Sequence, residues 1–121
     1  MAARLTDEER ALRRITEASW QRTVIGLARA HGWRFYHPPR AGIRAGGTVR
    51  HTVAGFPDLV MVRGPRIVFA ELKRQTGTVT PQQQGWLDDL RRASVEVYVF
   101  RPSDLPEVRR VLSRRAEDGA A

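Results

Sequence analysis

Asp58, Glu71 and Lys73 are the residues of this chain whose types and spacing suit joint chemistry. Asp58 closes the segment Gly55-Phe56-Pro57-Asp58, and Glu71-Leu72-Lys73 follows at the end of an apolar run. Lys73 is the only lysine among 21 basic residues; the rest are arginine. Arginine is a planar fork, whereas lysine is a compact point charge on a flexible stem. A site that holds a water or a phosphate oxygen beside two carboxylates calls for the compact cation. The two carboxylates, with the backbone carbonyl of Leu72 and waters, suit a hard cation such as Mg2+ or Mn2+. Such an ion activates a water and stabilises charge developing on a phosphate oxygen, while the ammonium orients the nucleophile. The plainer reading is a salt bridge between Glu71 and Lys73 at a strand end. It leaves Pro57-Asp58 and its glycine-rich approach unexplained.

The elements that must position these groups are legible in outline. Thr6-Asp7-Glu8-Glu9 is a capping-box pattern opening a short helical lead-in to about Arg14. Thr16 offers a second cap, and Trp20, Val24, Leu27 and Ala28 recur at helical spacing up to His31. Gly32 suits the helix end. Whether lead-in and main helix are one bent rod or two stays open at this point. Trp33 to His37 reads as a strand ending at Pro38-Pro39. Asp58 to Val62 and Arg66 to Leu72 flank the turn Arg63-Gly64-Pro65 and predict a hairpin. The second run is almost continuously apolar, which implies a central strand buried on both faces. In an antiparallel hairpin the start of one strand lies beside the end of the next, so Asp58 and Glu71 can reach one point. Lys73, two residues after Glu71, projects from the same face.

Thr80-Pro81 starts a helix running to about Ala93, with Trp86, Leu87 and Leu90 on one face. Val95 to Phe100 alternates as a strand, and Ser103 or Asp104 caps a last helix through Val108, Val111 and Leu112. The expected order is α-β-β-β-α-β-α: an α/β fold with a mixed central sheet flanked by helices. Residues 1–15 form the lead-in, 16–115 the domain and 116–121 a frayed tail.

Composition narrows the class. A chain of 121 residues, 41% hydrophobic, suits one domain with a real core. It has no cysteine, which removes disulfides, thiolate zinc sites and cysteine nucleophiles. No apolar run approaches a membrane span, and the charged N-terminus is unlike a secretory signal. A cytoplasmic or nucleoid location follows as the expectation. Net charge of +8 and pI near 11.4 favour a polyanionic partner. Arginine-rich surfaces also arise from base composition, so charge alone adds little.

The residues also resemble a known family. Pro57-Asp58 followed by Glu71-Leu72-Lys73 is similar to the signature of the PD-(D/E)xK nuclease superfamily. Within it, Glu17 to Leu112 resembles the virus-type replication-repair nuclease family, VRR-NUC. The matching pieces are Glu17 with Gln21, Gly32-Trp33, Gly55-Phe56-Pro57-Asp58-Leu59-Val60, Phe69-Ala70-Glu71-Leu72-Lys73 and Gly77. Thr80-Pro81-Gln82-Gln83 with Trp86-Leu87, Val97-Tyr98-Val99 and Arg101-Pro102-Ser103-Asp104-Leu105 continue the match. The resemblance implies a restriction-endonuclease-like core and a metal-dependent DNA endonuclease. Asp58 and Glu71 would bind the metal, Lys73 serve the attacking water, Glu17 complete or support the metal site, and Gln83 lie beside the lysine. Gln82 and Gln84 compete with Gln83, which keeps the family spacing to Trp86. The resemblance further implies branched DNA as substrate, a junction-cutting homodimer, a bacterial or phage-encoded origin and no organic cofactor. Nicking or flap cleavage of other DNA, or an inert nucleic-acid-binding module, are the alternatives.

DNA contacts are expected from the loop of residues 38–55, whose Gly42, Gly46, Gly47 and Gly55 alternate with Arg40, Arg44, Arg50 and His51. Arg74 and His37 are further phosphate candidates. His31 is assigned to the helix dipole. Trp20, Trp33 and Trp86 are assigned to packing, and Arg109, Arg110, Arg114 and Arg115, with Asp88 and Asp89, to solvated helix faces.

Overall fold

In the computed structural model, residues 3–39 and 53–115 are described. The helical start is two helices, α1 (Asp7–Arg14) and α2 (Glu17–Ala30), because Ile15 takes an extended conformation between them. Thr6 and Glu9 form the expected capping box, and the Thr16 hydroxyl accepts from the Ser19 amide. Strand β1 (Arg34–Tyr36) is followed by β2 (Leu59–Arg63) and β3 (Arg66–Leu72). Then come α3 (Pro81–Arg92), β4 (Glu96–Phe100), a 3-10 turn at Pro102–Asp104 and α4 (Leu105–Ser113).

The sheet runs β1-β2-β3-β4, with the first three strands antiparallel and β4 parallel to β3. This is the mixed α/β architecture expected. Alternation sends Leu59, Met61, Val68, Ala70, Leu72 and Phe100 to one face, where α2 buries Trp20, Val24 and Ala28, and α4 buries Val108, Val111 and Leu112. On the opposite face Phe56 meets both Phe69 and Trp86 edge-on, at ring separations of 6.1 and 5.0 Å. There α3 covers the β3–β4 side of the sheet.

Several expectations are corrected. β3 is central, but it is buried on both faces only over Ala70, Glu71 and Leu72; Ile67 is exposed. The first strand is three residues long, and Trp33 precedes it as a core residue whose indole N–H donates to the Leu112 carbonyl at 2.8 Å. Trp20 likewise is buried and donates to the Phe100 carbonyl at 2.9 Å, whereas Trp86 is half-buried against Phe56. Asp104 sits at the start of α4 but does not cap it; its carboxylate accepts from the Arg101 amide instead.

Arg114 is not solvated either. Its guanidinium donates to Glu96 at 2.9 Å, and Glu96 also takes a two-pronged contact from the buried Arg66, at 2.7 and 2.8 Å. Arg66 and Arg63 then donate to carbonyls at the end of α4, those of Val111, Leu112 and Arg114. Cations at a helix C-terminus satisfy its orphan carbonyls and complement its dipole. This cluster pins α4 to the hairpin at the end of the sheet away from Asp58 and Glu71.

Candidate active site

The hairpin register carries the site. Leu59 pairs with Ala70, so one step further Asp58 stands opposite Glu71. Asp58 lies just before β2 rather than inside it, and its Oδ2 accepts from the Leu72 amide at 2.8 Å. That bond ties the carboxylate to the last residue of β3. Gly55 has φ +82, and a Cβ there would lie 2.5 Å from the Gln82 backbone carbon. The approach to Asp58 is thus packed directly against the first turn of α3, a closeness only glycine permits.

Glu71 is 1% exposed. Its Oε1 accepts from Gln83 Nε2 at 3.2 Å, while Oε2 is buried without a hydrogen-bond partner. Burial first, and then the Asp58 carboxylate, push the Glu71 carboxyl up from 4.5 to about 9, against the pull of Lys73; Glu17 adds a smaller push in the same direction. Gln83 is held at its other end: Thr80 and Gln83 form a capping box, in which the Gln83 Oε1 accepts from the Thr80 amide at 2.9 Å. The amide NH2 is left facing Glu71. Of the three consecutive glutamines, Gln83 is therefore the one on the carboxylate; Gln84 donates to Asp88 and Gln82 packs under Gly55.

Lys73 is 9% exposed, and its backbone amide donates to the Phe100 carbonyl at 3.0 Å. Among the described residues no ion pair joins it to Glu71, so the plain salt-bridge reading loses its support. Asp58, Glu71, Lys73, Gln83 and Glu17 all line one cavity of about 490 Å³. Glu17 enters as the first residue of α2. Among the described residues no three His, Cys, Asp or Glu form a metal-holding group, and Glu17 lines the same cavity as the carboxylate pair and acts on Glu71 through its charge.

The donor set fits a divalent cation. Glu71 presents a buried oxygen with no partner beside a second carboxylate, and two like charges facing each other in low dielectric require a proton or a cation between them. A magnesium-type ion held by one or two carboxylates, with water filling the remaining positions, matches that supply.

Other expected contacts fall elsewhere. His37 and Arg74 are exposed and outside the cavity lining. Arg40, Arg44, Arg50 and His51 lie outside the described residues, as does the tail 116–121. Tyr36 and Phe56, to which the sequence assigns no site role of their own, also line the cavity. Their only signal was an aromatic residue beside Pro38-Pro39 and another inside Gly55-Phe56-Pro57.

A mixed four-stranded sheet presenting two carboxylates and a lysine at the end of a hairpin is compatible with a nuclease-type α/β domain. The sequence matches the VRR-NUC domain over residues 7–104, and the chain belongs to that family of nucleases. No curated protein matches it. Its class is therefore that of hydrolases acting on nucleic acid. Among the described residues no helix is long and apolar enough to cross a membrane.

Proposed function

We propose that this protein is a Mg2+- or Mn2+-dependent DNA endonuclease that hydrolyses phosphodiester bonds at Asp58, Glu71 and Lys73. The observation that carries the reading is the buried, unpartnered Glu71 Oε2 beside Asp58 in a cavity that Lys73 also lines. Asp58, Glu71 and the Leu72 carbonyl would hold the cation, which supplies Lewis-acid stabilisation of phosphate charge and a more acidic water. Asp58 is oriented for this by the Leu72 amide and Glu71 by Gln83. Lys73 orients the attacking water and stabilises negative charge on the phosphate through a single mobile donor. Glu17, which lines the same cavity, biases the pair toward the cation by its own charge.

The preferred substrate in this reading is branched DNA, of the Holliday-junction kind, gripped by Arg40, Arg44 and Arg50 with support from His51, His37 and Arg74. Two cuts in a four-way junction call for a homodimer whose two-fold axis matches that of the junction. The protein would act in replication, recombination or repair in the cytoplasm. A panel of labelled linear, flap, splayed and four-way DNA, with Mg2+, Mn2+ or EDTA, tests the reading, alongside light scattering with and without the junction. Metal-dependent cuts, strongest on branched DNA by a dimer, are expected. No cleavage with either metal would overturn the nuclease; single nicks by a monomer would overturn only the junction-cutting part.

A further inference from the structure

The candidate cavity has a second wall whose chemistry differs from that of the carboxylates. Tyr36, the last residue of β1, is 61% exposed, and Val53 is equally exposed. Both line the same cavity as Asp58 and Glu71, together with Pro38 and Pro39. The strand register puts Tyr36 on the catalytic face: it pairs with Val60, Val60 pairs with Phe69, and Glu71 lies two residues beyond Phe69. With strands about 4.8 Å apart and about 3.4 Å per residue, the Tyr36 and Glu71 backbones stand about 12 Å apart. That separation reaches a nucleotide neighbouring the one whose phosphate sits at the carboxylates.

A wall serving only duplex phosphates would be expected to carry cations. Among the described residues this wall is apolar and presents an exposed aromatic ring, and every base has a face that stacks on such a ring. Bases inside a duplex already have both faces stacked, so only an unpaired nucleotide is free to use it. The apolar wall is also continuous with the candidate catalytic centre, where a bound strand has to pass.

We propose that Tyr36 stacks an unpaired base beside the cleaved phosphate and so directs the enzyme to DNA with single-stranded or splayed nucleotides at the cut. This rests on the nuclease reading above. Binding is measured with Ca2+ in place of Mg2+, by fluorescence anisotropy, for wild type, Tyr36→Ala and Tyr36→Phe. The probes are a labelled single strand and the same sequence as a duplex, with 2-aminopurine in the strand as a stacking reporter. Tyr36→Ala should weaken single-strand binding about tenfold, in the range of base–aromatic stacking, and leave duplex binding within about twofold. Wild type and Tyr36→Phe should quench 2-aminopurine, and Tyr36→Ala should not. Equal losses on both probes, or no loss on either, would overturn the proposal. Cleavage by wild type in Mg2+ is scored separately: its absence refutes the nuclease reading, while the binding comparison still decides the role of Tyr36.

Discussion

Asp58 and Glu71 stand opposite each other across the β2–β3 hairpin, one step beyond the last paired residues, Leu59 and Ala70. Like charges directly opposed on paired strands are destabilising. A fold that sets two carboxylates there, and buries one of them to 1% exposure, keeps that arrangement at a cost in stability. The cost is relieved when a proton or a cation sits between them.

That cost has a pH signature in metal-free protein. Glu71 is raised from 4.5 to about 9, so the folded state holds a proton that the unfolded chain has lost across this window. The contribution of Glu71 is most favourable below about pH 4.5, declines as pH rises, and is fully lost above about 9. Glu71→Gln cannot ionise and escapes the loss. Its melting temperature in EDTA should match wild type near pH 5 and exceed it by several degrees at pH 8, with Mg2+ closing the gap. Thermal melts across this range check it; a wild type that melts higher than Glu71→Gln at pH 8 in EDTA would contradict it.

Lys73→Arg keeps the charge but replaces a single mobile donor with a planar fork in a nearly buried place. Cleavage should fall by at least about a hundredfold, the scale of a lost proton-handling or water-orienting group. DNA affinity should stay close to wild type. Single-turnover rates beside binding isotherms give the comparison, and a wild-type rate would remove Lys73 from the mechanism.

Gly55→Ala should damage stability and activity together. The substitution places a Cβ 2.5 Å from the Gln82 backbone at φ +82. Strain and overpacking of this kind cost at least about 2 kcal/mol. Moving the first turn of α3 also moves Gln83 off Glu71, so cleavage should drop beyond what unfolding explains. Urea denaturation and activity per folded molecule separate the two; a variant stable and active as wild type would show the contact to be dispensable.

Much of the site was legible because local chemistry dictated it. Gly55, Pro57-Asp58 and Glu71-Leu72-Lys73 sit where turn residues, strand ends and a buried apolar run mark their own positions. Thr80 with Gln83 is a capping box readable three residues apart, although only the structure shows the glutamine amide turned to Glu71. Long-range partners were not legible. Glu96 reads as the polar residue of an alternating strand, yet it joins Arg66, thirty residues earlier, to Arg114 on α4. Nothing local marks two arginines out of twenty-one basic residues for burial at a helix end. Tyr36 escaped for the same reason: its exposure depends on β1 being the edge strand of the sheet.

Glu96→Ala isolates that structural cluster from the chemistry. It leaves Arg66, whose side chain is 6% exposed, without its carboxylate, and breaking one side of a buried pair costs about 3 kcal/mol. Stability should fall by about that amount, while cleavage per folded molecule stays near wild type because the cluster lies at the other end of the sheet. Chemical denaturation beside activity at low temperature checks both halves. A stability equal to wild type would mean that the cluster contributes little.

The most direct test of the catalytic centre is cleavage of a labelled branched DNA in Mg2+ by wild type beside Asp58→Ala, with DNA binding measured in the same samples. Wild type should cut and lose all cutting in EDTA, and Asp58→Ala should bind the DNA with similar affinity and leave it intact. Cleavage by Asp58→Ala at the wild-type rate, or undiminished wild-type cleavage in EDTA, would contradict the assignment of this centre.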